Sequence, residues 1–490
     1  MTSSFSIPKE IEKATTTLEK AGFEAYLVGG CVRDLIMGNK PKDWDITTNA
    51  TPEQIIGLYE HTFYENTFGT VGVVIDEASD ETLKNLEITP YRLEAEYSDN
   101  RRPDSVQFAE KLQDDIKRRD FTMNALAYSV SKKQIIDLYN GQKDIQDKII
   151  RTVGEATERF SEDALRIMRA VRFHAQLGFE ISPETEKAII ECAYLLGKIS
   201  KERIRDEFNK IIMSERPMDG LLALRKFNLL GYIVPELEDT FGVEQNKAHA
   251  FDVWEHLIRT VQHSADKGYS LEIRLAALFH DISKPESRRW GKEQNQWTFY
   301  GHEVVGARTT KRILENLKYP RKIIDKTVIL VRWHMFFSDT EQISLSAVRR
   351  MVANVGKENI WDLMNVRICD RIGTGRPKED PYRLRKYHAM IEEAMRDPIS
   401  VGMLKIDGKK LMEITQTPAG PKIGYTLHAL LEEVLEDPSK NTTEYMEKRG
   451  QQLIQLPESE LRELGEKGKE SKEEKDQELI GEIRKKHWVK

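Results

Sequence analysis

Leu27-Val28-Gly29-Gly30-Cys31-Val32-Arg33-Asp34, and after it Lys42-Asp43-Trp44-Asp45-Ile46-Thr47, is the stretch that decides how this chain folds. The apolar run Ala25-Tyr26-Leu27-Val28 predicts a strand, and Cys31 to Met37 the start of a helix with Arg33 in its first turn. Gly29-Gly30 lies between them, at a turn where backbone N–H groups can approach a phosphate. No Gly-Lys-Ser/Thr follows, so this is not a Walker loop. Asp43 and Asp45 are read as sharing one short strand, where side chains at i and i+2 point to the same face. Asp is disfavoured in strands, a cost that function would explain. Two carboxylates aimed together can hold hard cations such as Mg2+. Cations beside a phosphate cradle point to phosphoryl or nucleotidyl transfer, in which two ions stand roughly 3.5–4 Å apart. Glu87, in the alternating run Leu86-Glu87-Ile88-Thr89, is the candidate third carboxylate on a neighbouring strand. Taken alone, the glycines also suit an ordinary turn, and the aspartates a solvated edge strand.

A second signal is Asp115-Ile116-Lys117-Arg118-Arg119-Asp120-Phe121-Thr122-Met123-Asn124-Ala125. Arg118 and Arg119 offer forked donors for phosphate oxygens, and Asp120 can accept from a ribose hydroxyl. A third is Ser161-Glu162-Asp163-Ala164-Leu165-Arg166. Ser161 suits a helix N-cap, and Glu162 with Arg166 an i, i+4 pair. Arg166, Arg169 and Arg172 recur every third residue on a face shared with Asp163. An acid and an arginine on one helical face can together address the hydrogen-bonding edge of a base, with further arginines for phosphates.

In this order, the Gly29-Gly30-x-x-Arg33-Asp34 loop, Asp43-x-Asp45, Arg118-Arg119-Asp120 through Asn124-Ala125, and Glu162-Asp163-x-x-Arg166 resemble the class II tRNA nucleotidyltransferases. These are the CCA-adding enzymes of the tRNA nucleotidyltransferase/poly(A) polymerase family, in the polymerase-β-like superfamily. The resemblance covers roughly the first half of the chain. It implies stepwise addition of C, C and A to a tRNA 3′ end from CTP and ATP, without a nucleic-acid template and with Mg2+ at Asp43 and Asp45. Asp163 and Arg166 would stand in for the template, and Asp120 would select ribonucleotides. Gly30, Arg33, Arg119, Arg169 and Arg172 would hold the triphosphate or tRNA phosphates. Tyr91 to Pro103 resembles the segment that helps the switch from C to A addition, and its length argues against CC-only addition. An A-adding-only enzyme and a bacterial poly(A) polymerase share the core motifs and remain alternatives. A metal-dependent phosphohydrolase with an RNA-binding head is the alternative from another class.

The second half carries a different constellation: His256, then His280-Asp281 in the apolar run Leu275 to Pro285, then His302, His334 and Asp370. This resembles the HD phosphohydrolase pattern, with His256, His280, Asp281 and Asp370 as its metal ligands and His302 and His334 for a second ion. Imidazole and carboxylate donors suit Mn2+, Ni2+, Fe2+ or Zn2+ better than Mg2+. The resemblance implies phosphatase or 2′,3′-cyclic phosphodiesterase activity at damaged 3′ ends. Ser283 stands where the family often has Gly, a departure expected to matter little.

The expected fold class is α+β: a small mixed-sheet nucleotidyltransferase head followed by an all-α neck, body, HD domain and tail. The expected boundaries are 1–135 for the head, 136–240 for the helical neck and body, and 241–395 for the HD domain. A tRNA-binding tail at 396–457 and a charged extension at 458–490 complete the chain. Gly178 to Pro183 reads as a helix stop and restart. In the tail, Gly420-Pro421-Lys422-Ile423-Gly424 opens an amphipathic helix from Tyr425 to Glu436. Net charge is −6, so tRNA must be met by local basic surface rather than by the chain as a whole. Nothing favours DNA. No apolar run approaches a membrane span. The odd, widely spaced Cys31, Cys192 and Cys369 and the absence of a signal sequence lead to the expectation of a cytoplasmic protein.

Overall fold

The computed structural model describes residues 5–64, 69–76, 78, 80–93, 107–246, 249–293, 295–335 and 343–464. Most of the segment expected to switch C to A addition, and the charged extension from 465 onward, lie outside the described residues. The chain divides into two compact units, Met1–Glu238 and Asp239–Lys490.

The first unit is built on a seven-stranded sheet. In chain order its strands are β1 (Ala25–Val28), β2 (Asp45–Thr48), β3 (Thr62–Tyr64), β4 (Val71–Val74), β5 (Asn85–Pro90), β6 (Leu126–Ser129) and β7 (Gln134–Asp137). Their spatial order is β3-β4-β5-β2-β1-β6-β7. Only β2 and β5 pair in parallel, with Asp45 opposite Glu87, and the other neighbours are antiparallel. The alternation of these short runs sets the faces. Leu27, Ile46, Val71, Val73, Leu86 and Ile88 are buried on one side, where α1 (Lys9–Lys20) supplies Ile11 and Leu18. Fully burying such a side chain contributes about 1.5–3 kcal/mol. On the other side Val28 and Ala127 join Tyr91, Leu112 and Ile116 in a small core, which seats the later helix at Leu112–Lys117.

Between β1 and β2 lies α2 (Gly30–Ile36), and between β2 and β3 lies α3 (Pro52–Leu58), opened by a capping box on Thr51. The helices α4 (Leu112–Lys117), α5 (Gly141–Asp147), α6 (Ala156–Glu162), α7 (Leu165–Leu177), α8 (Pro183–Cys192), α9 (Lys201–Ile212), α10 (Pro217–Lys226) and α11 (Leu230–Ile233) follow. The expected stop and restart is present: Gly178 closes α7 at φ 66°, and Ser182 caps α8 by accepting from Thr185 N at 3.3 Å. α7 packs against α9 and α10. At Gly220 of α10 an added Cβ would stand 2.5 Å from Ile211 Cγ2 and 3.0 Å from Ala175 Cβ, so only a glycine admits this approach.

The second unit packs α12 (Val253–Asp266), α13 (Leu271–Phe279), α14 (Lys284–Ser287), α15 (His302–Asn316), α16 (Arg321–Trp333), α17 (Leu345–Val355) and α18 (Ile360–Gly373). Then come α19 (Tyr382–Ala394), α20 (Gly408–Thr415), α21 (Pro421–Glu436) and α22 (Thr443–Leu453).

The α+β class is as read from sequence, with two additions to the helical part. Ile149–Ile150 and Glu180–Ile181 form a two-residue parallel ladder, and Arg289–Gly291 with Gln296–Thr298 form a hairpin. Such short pairs carry too few residues for any periodicity to register. The head's sheet also runs past the expected edge at 135, since β7 ends at Asp137. Among the described residues no helix is long and apolar enough to cross a membrane.

Candidate active site and metal centre

Gly29 joins β1 to α2 at φ 75°, a conformation that disfavours side chains. A Cβ there would stand 3.2 Å from Arg119 Nη1 and 3.5 Å from Asp45 Oδ2. The glycine thus lets the β1–α2 turn touch the residues of two other elements. Arg33, in the first turns of α2, is nearly buried and donates from Nη1 to Asn124 Oδ1 at 2.8 Å and from Nη2 to Asp34 Oδ1 at 2.7 Å.

Asp45 opens β2, but Asp43 precedes the strand in a bend, contrary to the expectation that both share it. The buried Trp44 lies between them, leaving Asp43 exposed and Asp45 half-buried. Both still line one cavity of about 540 Å³. Around it stand Gly29, Gly30, Arg33, Arg118, Arg119, Asp120 and Asn124, then Asp163, Arg166, Arg169 and Arg172. These are the residues that the sequence assigns to metal and nucleotide binding in the head and the neck that follows it, except Glu87. Glu87 does sit on the neighbouring strand as expected, in register with Asp45, but it is not among the residues lining the cavity. Phe173 and Arg203, which sequence reasoning did not pick, line the cavity too.

Arg118 and Arg119 lie at the C-terminal end of α4 and converge on the fully buried Asp115, at 2.5 and 2.9 Å. Burial alone would raise the Asp115 carboxyl, but the two guanidiniums hold it at about 2. Asp120 is likewise pushed up by burial and held at about 2 by Arg169 and Arg166. It accepts from Arg169 Nε at 2.7 Å and from Phe121 N at 2.8 Å.

Ser161 and Glu162 end α6 rather than starting a helix, and Ser161 Oγ donates back to Thr157 O at 2.7 Å. Asp163 is extended between α6 and α7 (φ −140°, ψ 101°). Its Oδ1 accepts from Leu165 N at 3.0 Å and its Oδ2 from Arg203 Nη2 at 2.8 Å. Arg166 is held separately, donating to Glu162 Oε2, to Arg159 O at 3.1 Å and to Arg118 O at 3.0 Å. Arg172 pairs with Glu207 on α9, and its guanidinium lies 4.3 Å from the Phe173 ring centre. Burial, then the neighbouring Arg169, lowers Arg172 to about 10. Each arginine of the α7 face therefore has an acidic partner on a different element.

In the second unit, His256 comes from α12, His280 and Asp281 directly follow α13, His302 opens α15, His334 follows α16, and Asp370 sits in α18. All six are buried. Their donor atoms form two groups within 4.8 Å, His256/His280/Asp370 and Asp281/His302/His334. Asp281 stands between them. Its Oδ2 is 3.2 Å from the Nε2 atoms of His256 and His280, and its Oδ1 is 3.1 Å from His302 Nε2 and 3.6 Å from His334 Nε2. The Nδ1 atoms of His280, His302 and His334 lie 2.9, 2.6 and 2.7 Å from the carbonyls of Ala277, Phe299 and Val331. A proton on each Nδ1 leaves each Nε2 lone pair free for a cation. Lys284 Nζ donates to Asp281 Oδ2 at 2.5 Å and to Gln245 Oε1 at 2.6 Å. Asp281, His302, His334 and Asp370 open onto a cavity of about 790 Å³, also lined by Arg367, Arg371 and Tyr382. Ser283, the departure noted in sequence, is accommodated by donating to Thr309 Oγ1 at 3.2 Å.

Three family models match the chain: a poly A polymerase head domain over 25–151, a probable RNA and SrmB-binding site of polymerase A over 178–241, and an HD domain over 253–372. The CCA-adding enzyme of Geobacillus thermodenitrificans is 33% identical over 87% of this chain and 92% of its own length. That of Lactiplantibacillus plantarum is 45% identical over 48% of this chain and 56% of its own. Among solved structures, the Bacillus stearothermophilus CCA-adding enzyme in complex with CTP is 28% identical, covers 91% of this chain and 98% of itself, and superposes with a TM-score of 0.68.

Proposed function

This chain belongs to the CCA-adding enzymes, the tRNA nucleotidyltransferases, and from that premise we propose how its own residues extend a tRNA 3′ end with CTP and ATP. The observation that carries the reading is the gathering of two carboxylates and a run of arginines, from motifs far apart in sequence, around one cavity. Asp43 and Asp45 supply the oxygen donors that Mg2+ prefers. Mg2+ held by these two carboxylates would supply Lewis-acid activation for attack of the tRNA 3′ hydroxyl on the α-phosphate and charge stabilisation for the departing pyrophosphate. Gly30, Arg33, Arg119, Arg169 and Arg172 hold the triphosphate and neighbouring phosphates. Asp120, kept ionised, accepts from the ribose 2′-OH.

Asp163 accepts and Arg166 donates, which matches bases that offer an amine beside an unprotonated ring nitrogen. Cytosine and adenine both do so; guanine and uracil offer a carbonyl beside a ring N–H. The same pair therefore serves both additions and rejects the other nucleotides.

In the second unit the converging Nε2 lone pairs and the two-sided Asp281 fit two transition-metal ions. Their chemistry when bound is activation of water against a phosphoester. Arg367 and Lys284 stand beside that site to meet the phosphate. This supports phosphatase or 2′,3′-cyclic phosphodiesterase action on an RNA 3′ end.

The test is nucleotide addition to tRNA ending at its discriminator base, with CTP, ATP or both, resolved to single nucleotides. CCA addition gives two steps with CTP and a stop at three with both. No reaction unless CC is already present would mean A-only addition, and a long ladder would mean poly(A) polymerase.

A further inference from the structure

Phe63, in β3, leaves 42% of its surface exposed. Single exposed apolar side chains are ordinary, but the register of this one is not. Phe63 pairs with Gly72 of β4, Gly72 with Glu87 of β5, and Glu87 with Asp45 of β2. Paired residues share a sheet face, so one lateral row runs from the Phe63 ring to a carboxylate of the nucleotidyl-transfer site. The residues on either side of Gly72 and Glu87 (Val71, Val73, Leu86 and Ile88) are buried on the opposite face.

Gly72 decides where the ring lies. An added Cβ would stand 2.2 Å from Phe63 Cζ and 2.5 and 2.6 Å from its Cε atoms. The ring therefore lies across the glycine, with one side on backbone and the other open. Two strand spacings, roughly 10 Å, separate Gly72 from Asp45. That is the scale of one nucleotide from base to 3′ hydroxyl. The incoming nucleotide is already provided for on the far side of Asp45, by the β1–α2 turn and α7.

We propose that the open side of the Phe63 ring is a stacking platform for the last base of the tRNA being extended, which sets its 3′ hydroxyl toward Asp45. This rests on the assignment of Asp43 and Asp45 to nucleotidyl transfer. Stacking of a base on an aromatic ring tolerates any base, since every base has a π-face, which suits a primer whose terminal base changes with each addition. Gly72 is the companion requirement, because any side chain there lifts the ring out of the row.

A ring that only shields its glycine would act on stability instead, and the experiment separates the two. The KM for tRNA lacking CCA, the KM for CTP and the melting temperature are measured for the full chain and for Phe63→Leu, Phe63→Trp and Tyr64→Ala. Tyr64 alternates to the other face and serves as control. The expected result is a rise of about tenfold in tRNA KM for Phe63→Leu, an unchanged CTP KM, and near-normal tRNA KM for Phe63→Trp and Tyr64→Ala. Fluorescence of the Phe63→Trp variant changes on adding tRNA but not CTP alone. A tRNA KM unmoved by Phe63→Leu, or a rise shared equally by CTP, overturns the proposal. Loss of melting temperature with tRNA KM intact assigns the ring to stability and overturns it as well. Failure of the underlying site assignment is distinguishable, because it appears as normal incorporation by Asp45→Asn.

Discussion

Arg203 Nη2 donates to Asp163 Oδ2 at 2.8 Å, while the other oxygen of the same carboxylate takes the N–H of Leu165. Both oxygens of Asp163 are thus oriented, one by α9 and one by α7's own first residue. Arg203→Ala frees the carboxylate to rotate. The expected outcome is a fall of about tenfold in kcat/KM for CTP and ATP, the cost of losing one charge-assisted hydrogen bond. Incorporation of GTP and UTP rises in the same assay. Arg203→Lys restores part of the discrimination, because an ammonium can donate but lacks the planar fork.

Asp43→Asn and Asp45→Asn each keep shape and remove a negative oxygen donor. Labelled CTP incorporation should drop at least about a thousandfold in both. Hydrolysis by the second unit, measured on a 2′,3′-cyclic nucleotide, should continue at the parental rate.

Asp281 offers one oxygen to each histidine group, so its loss touches both. Metal analysis of purified protein should find both bound transition-metal ions lost in Asp281→Ala but only one lost in His302→Ala. CTP incorporation stays unchanged in either variant. Chelation followed by Mn2+ or Zn2+ should restore hydrolysis in the parent alone.

Asp115 and Asp120 ionise near 2 in the folded head, against 3.8 ordinarily. Because the ionised form is the one the arginines hold, this stabilisation is complete above about pH 4 and is lost as the pH falls through about 2. The midpoint of urea unfolding of the full chain should therefore decline steeply across that window. Asp115→Asn should flatten the decline.

The strand, turn and helix at Ala25–Ile36 were legible in sequence because an apolar run, a glycine pair and a helical pattern follow one another without a break. The arginine face of α7 was legible for the same reason: its period matches one helical face. Ser161 misled because a hydroxyl before two acids looks the same at a helix start and at a helix end. What distinguishes them here is the extended backbone at Asp163, which no side chain announces. Arg203 was hidden by distance, forty residues from Asp163 in the chain. Its signal was the Arg203-x-x-x-Glu207 spacing on α9, which aims Glu207 at Arg172 of α7 and Arg203 at Asp163 in the extended segment just ahead of it. Asp43 could be selected by chemistry but not placed, since Trp44 buries itself only once the sheet exists.

Gly220 brings α10 against α7 closely enough that a single methyl would collide with Ala175 and Ile211. On the proposed reading, Arg166 of α7 and Asp163 ahead of it choose the nucleotide, so the message this protein writes would be stored as the seating of one helix. A nucleic-acid template miscopies when bases mispair. On that reading a loosened contact on the back of α7 would become a misspelling at the end of a tRNA, and accuracy would share the temperature limit of this packing.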